Sequence, residues 1–170
     1  TYFYRRETMK QVDNLELLDN LIFGRVTPHI YAFQTGTIPN YLKIGDTYRP
    51  VSIRLKEWEH KFPDLKKEYE HSATVTDDVY FRDHAVHHYL EVSLGKERLK
   101  PQDLPRKALY YSREFFKEVI PSDIDEAIND ICKEYGKHSD KYAYYDSNER
   151  LAVTVHYERG SKWTLRPNQQ

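Results

Sequence analysis

A single cysteine, Cys132, stands among 170 residues. It excludes a disulfide framework and any cysteine-based zinc site, and it points to a reducing, intracellular compartment. Long hydrophobic runs are missing too. Nothing approaches the roughly 18 consecutive apolar residues of a membrane span, so no membrane partner is expected. No charged segment followed by an apolar run opens the chain, so the expectation is a cytoplasmic protein without a signal peptide. Neither sign of charge dominates: Lys+Arg number 26 and Asp+Glu 27, a net charge of −1. Such a balance neither demands nor excludes nucleic acid, because a basic groove coexists with acidic surface elsewhere. What is plentiful is tyrosine, with 15 residues. Disordered chains are aromatic-poor, so a folded core is expected. The length suits one domain with appendages and buries a core without covalent staples.

Periodicity places the elements. Val12, Leu15, Leu18 and Leu21 predict an amphipathic helix over Met9–Leu21, following a Tyr- and Arg-rich arm. Residues 29–33 (HIYAF) read as a strand, residues 35–40 as a turn, and Tyr41–Ile44 as its hairpin partner, ended by Gly45 and Asp46. Pro50 opens a helix over Val51–His60. A third strand is expected over Glu68–Val75. Thr76 then looks like the N-cap of a helix over Asp77–Ser93, stopped by Gly95. The Pro-bearing stretch 95–108 reads as a basic loop, and Tyr110–Tyr111 as a short strand. Ser112 suits the cap of a short helix over Arg113–Val119. A further amphipathic helix carries Ile124, Ala127, Ile128, Ile131 and Tyr135 to about Gly136. Residues 137–150 look like a linker, and Leu151–Tyr157 alternates like a strand. The class is α+β: a small antiparallel three-stranded sheet flanked by helices, with extra N-terminal and C-terminal helices.

One set of side chains suggests chemistry. Tyr31 lies in the first strand and Lys43 in the second. Arg54 follows eleven residues later, in a helix. Asp83 and His87 are spaced to share a helical face, and Glu114 precedes an aromatic pair. Phosphodiester hydrolysis needs these types. Tyr or His accepts or relays a proton from water. Lys and Arg offset the charge of the transition state. One carboxylate with waters suits Mg²⁺ better than zinc, which wants three or four protein ligands.

The ordered set resembles the GIY-YIG endonuclease family, in a branch whose second signature tyrosine is commonly lysine. His29-Ile30-Tyr31 stands for the first triplet and Lys43-Ile44-Gly45 for the second. Arg54 fits the helix arginine, Asp83–His87 the acidic-x-x-x-His pattern, and Glu114-Phe115-Phe116 the glutamate with its aromatic pair. The match covers roughly residues 28–120. Two positions depart from the pattern: His29 replaces the first glycine, and Trp58 stands where many relatives carry histidine. The resemblance implies Tyr31 as general base or relay, alone or with His87. It implies Lys43 and Arg54 on the scissile phosphate, and Glu114 on a Mg²⁺ for which Mn²⁺ can substitute. Products would carry 5′-phosphate and 3′-hydroxyl ends.

Around this centre, Lys96, Arg98 and Lys100, with Arg106 and Lys107, read as a basic strap along the DNA backbone. Tyr48 and Arg49 are further candidates for DNA contact. Residues 163–170 resemble the lead-in to a superfamily 2 helicase core, implying a downstream ATPase domain and a restriction or antiphage defence setting. The expected division is therefore 1–27, arm and helix; 28–120, nuclease-like domain; 121–150, helix and linker; 151–170, start of a helicase-like domain. Double-strand cutting from one site per chain would call for a homodimer or larger assembly. The competing expectation is a catalytically inactive DNA-binding module that loads the helicase.

Overall fold

The computed structural model describes residues 28–146. The chain divides into two compact units, Pro28–Tyr144 and a second comprising Thr1–Thr27 with Tyr145–Gln170. Of the second unit only the short strand Tyr145–Asp146 is described. The helix expected over Met9–Leu21, the strand expected over Leu151–Tyr157 and the helicase-like residues 163–170 lie outside the described residues.

In chain order the first unit contains β1 (His29–Gln34), β2 (Tyr41–Thr47), α1 (Val51–Trp58), β3 (Lys66–Ser72) and β4 (Val79–Tyr80). There follow α2 (Asp83–His88), a π-helical turn over Tyr89–Ser93, a 3₁₀ turn over Pro101–Asp103, β5 (Phe115–Lys117) and α3 (Pro121–Gly136). The fold is α+β, as expected. Its main sheet is antiparallel and has the order β3-β1-β2-β5, four strands where three were expected. Among the described residues no helix is long and apolar enough to cross a membrane.

Period-two alternation divides the buried side chains between the two faces of the sheet. Ile30, Ala32, Leu42, Ile44 and Phe116 share one core with Ala85 and Val86 of α2 and Ile124, Ala127, Ile128 and Ile131 of α3. Tyr31, Phe33 and Phe115 share the other with Val51, Leu55 and Trp58 of α1. The sheet is therefore sandwiched, and its residues are apolar on both faces for that reason. Helix α3 belongs to this body. So does part of the segment expected to be a linker: Tyr142 is buried in the first core, and its hydroxyl donates to Asp130 Oδ2 at 2.6 Å.

Several boundaries differ from expectation, each for a local reason. Strand β2 runs through Gly45 and Asp46 to Thr47, because β1 pairs with it that far, His29 opposite Thr47. No helix starts at Asp77. The Thr76 hydroxyl accepts the N–H groups of Asp78 and Val79 in a turn, and Phe81 N–H donates to the Ala73 carbonyl at 2.9 Å. The chain thus folds back as a hairpin, and the helix waits until Asp83. Tyr110–Tyr111 is not a strand. Arg113–Val119 is not a helix, because Phe115 and Phe116 point to opposite faces and are both 0% exposed. Each buried Phe side chain contributes about 1.5–3 kcal/mol, and only a strand serves both cores from adjacent residues. Lys43 pairs with Phe115, so β5 closes the edge of the sheet beside β2.

Candidate active site

The register of β1 and β2 builds the centre. Tyr31 sits opposite Gly45, and Phe33 opposite Lys43. Tyr31, Lys43 and Gly45 therefore share the face covered by α1. A Cβ on Gly45 would lie 2.7 Å from both Lys43 Nζ and Tyr31 OH. The absence of a side chain there lets the phenol and the ammonium converge. Lys43 Nζ donates to Tyr31 OH at 3.4 Å and to Glu114 Oε1 at 2.8 Å. The lysine is 2% exposed and the glutamate 34%. A buried ammonium needs such a partner, since an unpaired one costs several kcal/mol.

Glu114 stands just ahead of β5, at the sheet edge between the two layers of helix. On the other side of it lie Asp83 and His87 of α2. One ligand atom from each of Asp83, His87 and Glu114 lies within 4.8 Å of the others. Helix α2 is fixed there by Asp46 of β2, whose Oδ2 accepts from Asp83 N–H at 2.9 Å and Arg82 Nε at 2.7 Å. His87 Nε2 lies 2.8 Å from the Ile44 carbonyl oxygen. A carbonyl can only accept, so Nε2 carries the proton and Nδ1 keeps the lone pair.

Burial dominates the electrostatics of this edge. It pushes the Asp83 carboxyl up to about 7, with the charges of Asp46 and Glu114 adding to the effect. It also holds His87 down at about 4, so the imidazole is neutral at physiological pH. Crowded carboxylates beside a neutral imidazole are a donor set that a divalent cation fits. Glu114, being partly exposed, offers it the most open oxygens.

The structure thus brings together Tyr31, Lys43 and Glu114, with His87 on the far side of Glu114. Arg54 is close by but engaged: it donates to Glu57 Oε1 at 2.8 Å, and its guanidinium lies 4.9 Å from the Trp58 ring centroid. Arg49 donates to both oxygens of the same Glu57, and these two arginines, Arg49 foremost, hold that carboxyl below its usual range. Tyr48 contacts Tyr80 and lies under the Arg82 guanidinium. The basic strap separates into two kinds of residue. Lys96 binds the Glu118 carbonyl at 2.9 Å and lies 3.7 Å from Asp123. Arg98 binds Glu91 Oε2 at 2.7 Å and the Arg113 carbonyl at 3.0 Å. These two anchor the loop. Lys100 is exposed, as is Arg113, which the basic-strap reading left out. Both line a cleft with Lys96, Arg98 and Tyr111.

Sequence reasoning passed over three residues of this neighbourhood. Trp58 reads as an apolar position of its helix and a departure from the family pattern, yet its indole N–H donates to Tyr31 OH at 2.8 Å. Asp83 was read as a pattern residue without a role of its own. Asp46 was read as a strand end; its cap on α2 joins residues 37 apart in sequence. Comparison of the chain with family models, curated proteins and solved structures finds no match.

Proposed function

We propose that this domain is a divalent-cation-dependent DNA endonuclease that hydrolyses phosphodiester bonds, with Tyr31, Lys43, Arg54 and Glu114 as its working residues. The observation that carries the reading is the Lys43 ammonium, in contact with both Tyr31 OH and Glu114 Oε1. It joins a potential base to a potential metal ligand, with a buried positive charge between them. The order of these residues and their resemblance to the GIY-YIG pattern supply the reaction class.

The chemistry follows from the residues. Water attacks phosphorus and passes its proton to Tyr31 as a relay, the phenol releasing its own proton toward solvent. Charge gathers on the non-bridging oxygens, where Lys43 and Arg54 offset it. The bond to the 3′ oxygen breaks, and that oxygen takes up a proton from solvent. Glu114, with Asp83 beside it, would hold Mg²⁺ or Mn²⁺. When bound, the cation supplies Lewis acidity at the leaving oxygen and neutralises the carboxylates. His87 keeps α2 against β2 through its bond to the Ile44 carbonyl, a positioning role rather than that of a proton acceptor. Lys100 and Arg113 are the cations best disposed for DNA phosphates beyond the site.

One observation favours a second reading, a DNA-binding module without cleavage: Tyr31 is 1% exposed, closed beneath Trp58. A plasmid-nicking assay with Mg²⁺ or Mn²⁺ separates the two. Cleavage that Glu114→Ala and Tyr31→Phe both abolish supports the endonuclease. Cleavage that survives both substitutions sinks the site assignment. Tight, cation-independent DNA binding with no nicking supports the binding module.

A further inference from the structure

Three of the proposed working residues converge on Trp58. Its indole N–H donates to Tyr31 OH at 2.8 Å. Lys43 Nζ lies 4.4 Å from its ring centroid, and the Arg54 guanidinium 4.9 Å. Trp58 is 6% exposed, held among Phe33, Phe62 and Tyr110. It is therefore a fixed body and not a surface side chain that happens to touch the site.

From this convergence we infer that Trp58 is a positioning residue, which aims the Tyr31 hydroxyl and holds the Lys43 and Arg54 cations as one unit. The inference rests on the endonuclease reading for its consequence, but its geometry stands apart from it. An indole nitrogen is a donor only, and so is an ammonium. With Trp58 and Lys43 both donating, the Tyr31 oxygen is an acceptor toward each of them. Its own proton has to point elsewhere, and no described residue accepts it. That is the arrangement a proton-relaying tyrosine needs: as its own proton leaves for solvent, the charge on the oxygen meets two N–H donors already in place until water's proton arrives. The π face supplies the second function. It attracts the two cations alongside their carboxylate partners, Glu114 for Lys43 and Glu57 for Arg54, and so fixes both on one side of Tyr31. A histidine here would offer a nitrogen able to take the proton itself. Tryptophan cannot, so at this position the ring only donates to Tyr31.

The test uses Trp58→Phe, which keeps an aromatic ring and removes the donor. Nicking should fall about 10- to 100-fold in kcat, the range for a hydrogen bond to a charged group, while KM for plasmid changes little and the melting temperature falls as for any truncated core side chain. In a Tyr31→Phe background the same substitution should cost nothing further, because its effect runs through the phenol. A second readout needs no activity. The chain has two tryptophans, so nitrogen-15 spectra carry two indole signals, and Trp58→Phe identifies one. Tyr31→Phe should shift that signal and speed its hydrogen exchange. Two unchanged indole signals in Tyr31→Phe overturn the inference, whether or not Trp58→Phe folds. Full activity in Trp58→Phe, or losses that multiply in the double variant, overturn it as well. An indole that responds, in wild-type protein that never nicks DNA, supports the positioning and overturns the endonuclease reading instead.

Discussion

The Lys43 ammonium lies 2.8 Å from Glu114 Oε1 although 71 residues separate them, and this ion pair ties the hairpin to the last strand of the sheet. Lys43 is buried and Glu114 half-buried. The two ends of the pair therefore respond differently to removal. Glu114→Gln leaves a buried ammonium facing a neutral amide oxygen, its counter-charge removed. Lys43→Met leaves a carboxylate that water can reach. Urea unfolding should rank Glu114→Gln as the more destabilising, by about 1–3 kcal/mol, with Lys43→Met nearer 1 kcal/mol. Both should abolish nicking. Equal stability losses would show that the lysine is not sealed off.

Gly45→Ala tests the close approach of Tyr31 and Lys43. The added methyl meets both side chains at 2.7 Å, inside any tolerable contact. Moving them costs about 1–3 kcal/mol of overpacking. Nicking should be lost even where the protein remains folded. Activity close to wild type in Gly45→Ala would mean that the convergence on this glycine is unimportant.

Asp83 and His87 give opposite pH signatures. Burial first, then Asp46 and Glu114, raise Asp83 to about 7 from a reference of 3.8. The folded state therefore prefers the proton, and the stability tied to Asp83 is lost as pH rises from about 4 through 7. His87 is lowered to about 4 from 6.5. Its unfolded form binds the proton more tightly, so stability rises across that window. The two oppose each other up to about pH 6.5, above which the Asp83 loss stands alone. Melting curves should show Asp83→Asn gaining on wild type between pH 5 and pH 8. Saturating Mn²⁺ at pH 8 should reverse the ranking, since wild type gains the binding free energy. A pH-independent difference would overturn the assignment of Asp83 as a crowded carboxyl.

The basic strap offers a graded test. Lys100→Ala and Arg113→Ala should each weaken DNA binding and flatten its salt dependence by about 0.9 in the log–log slope. Lys96→Ala and Arg98→Ala remove residues that hold Glu118, Asp123, Glu91 and Arg113 in place. They should lower the melting temperature more than they change the slope. Fluorescence anisotropy across a salt series, beside thermal melts, separates the two pairs. Equal slope changes in all four variants would restore the strap as a single contact surface.

Much of the molecule was already legible along the chain. The β-forming residues of 29–33 and the turn residues after them mark the hairpin, because a strand with both faces buried must place apolar side chains at successive positions. The spacing of Val51, Leu55 and Trp58 marks α1 in the same way, and that of Ile124, Ala127, Ile128 and Ile131 marks α3. These are local patterns, and local sequence carries them. The ordered appearance of Tyr31, Lys43, Arg54 and Glu114 was legible as well.

Tertiary structure decided the rest. Glu114 reads locally as a residue near a helix start. It becomes a partner of Lys43 because Phe115 and Phe116 each enter a different core and draw the segment into the sheet as β5. Thr76 reads as a helix cap, but the hairpin back to Ala73 claims its hydroxyl. Asp46 and Trp58 carry no motif. Their roles arise from contacts across 37 and 27 residues of chain. A strand, a turn or an amphipathic helix is an energy minimum over a few neighbouring residues. A hydrogen bond between distant side chains exists only once the sheet has set its register and the helices have closed on both faces, and this candidate active site is made of such bonds.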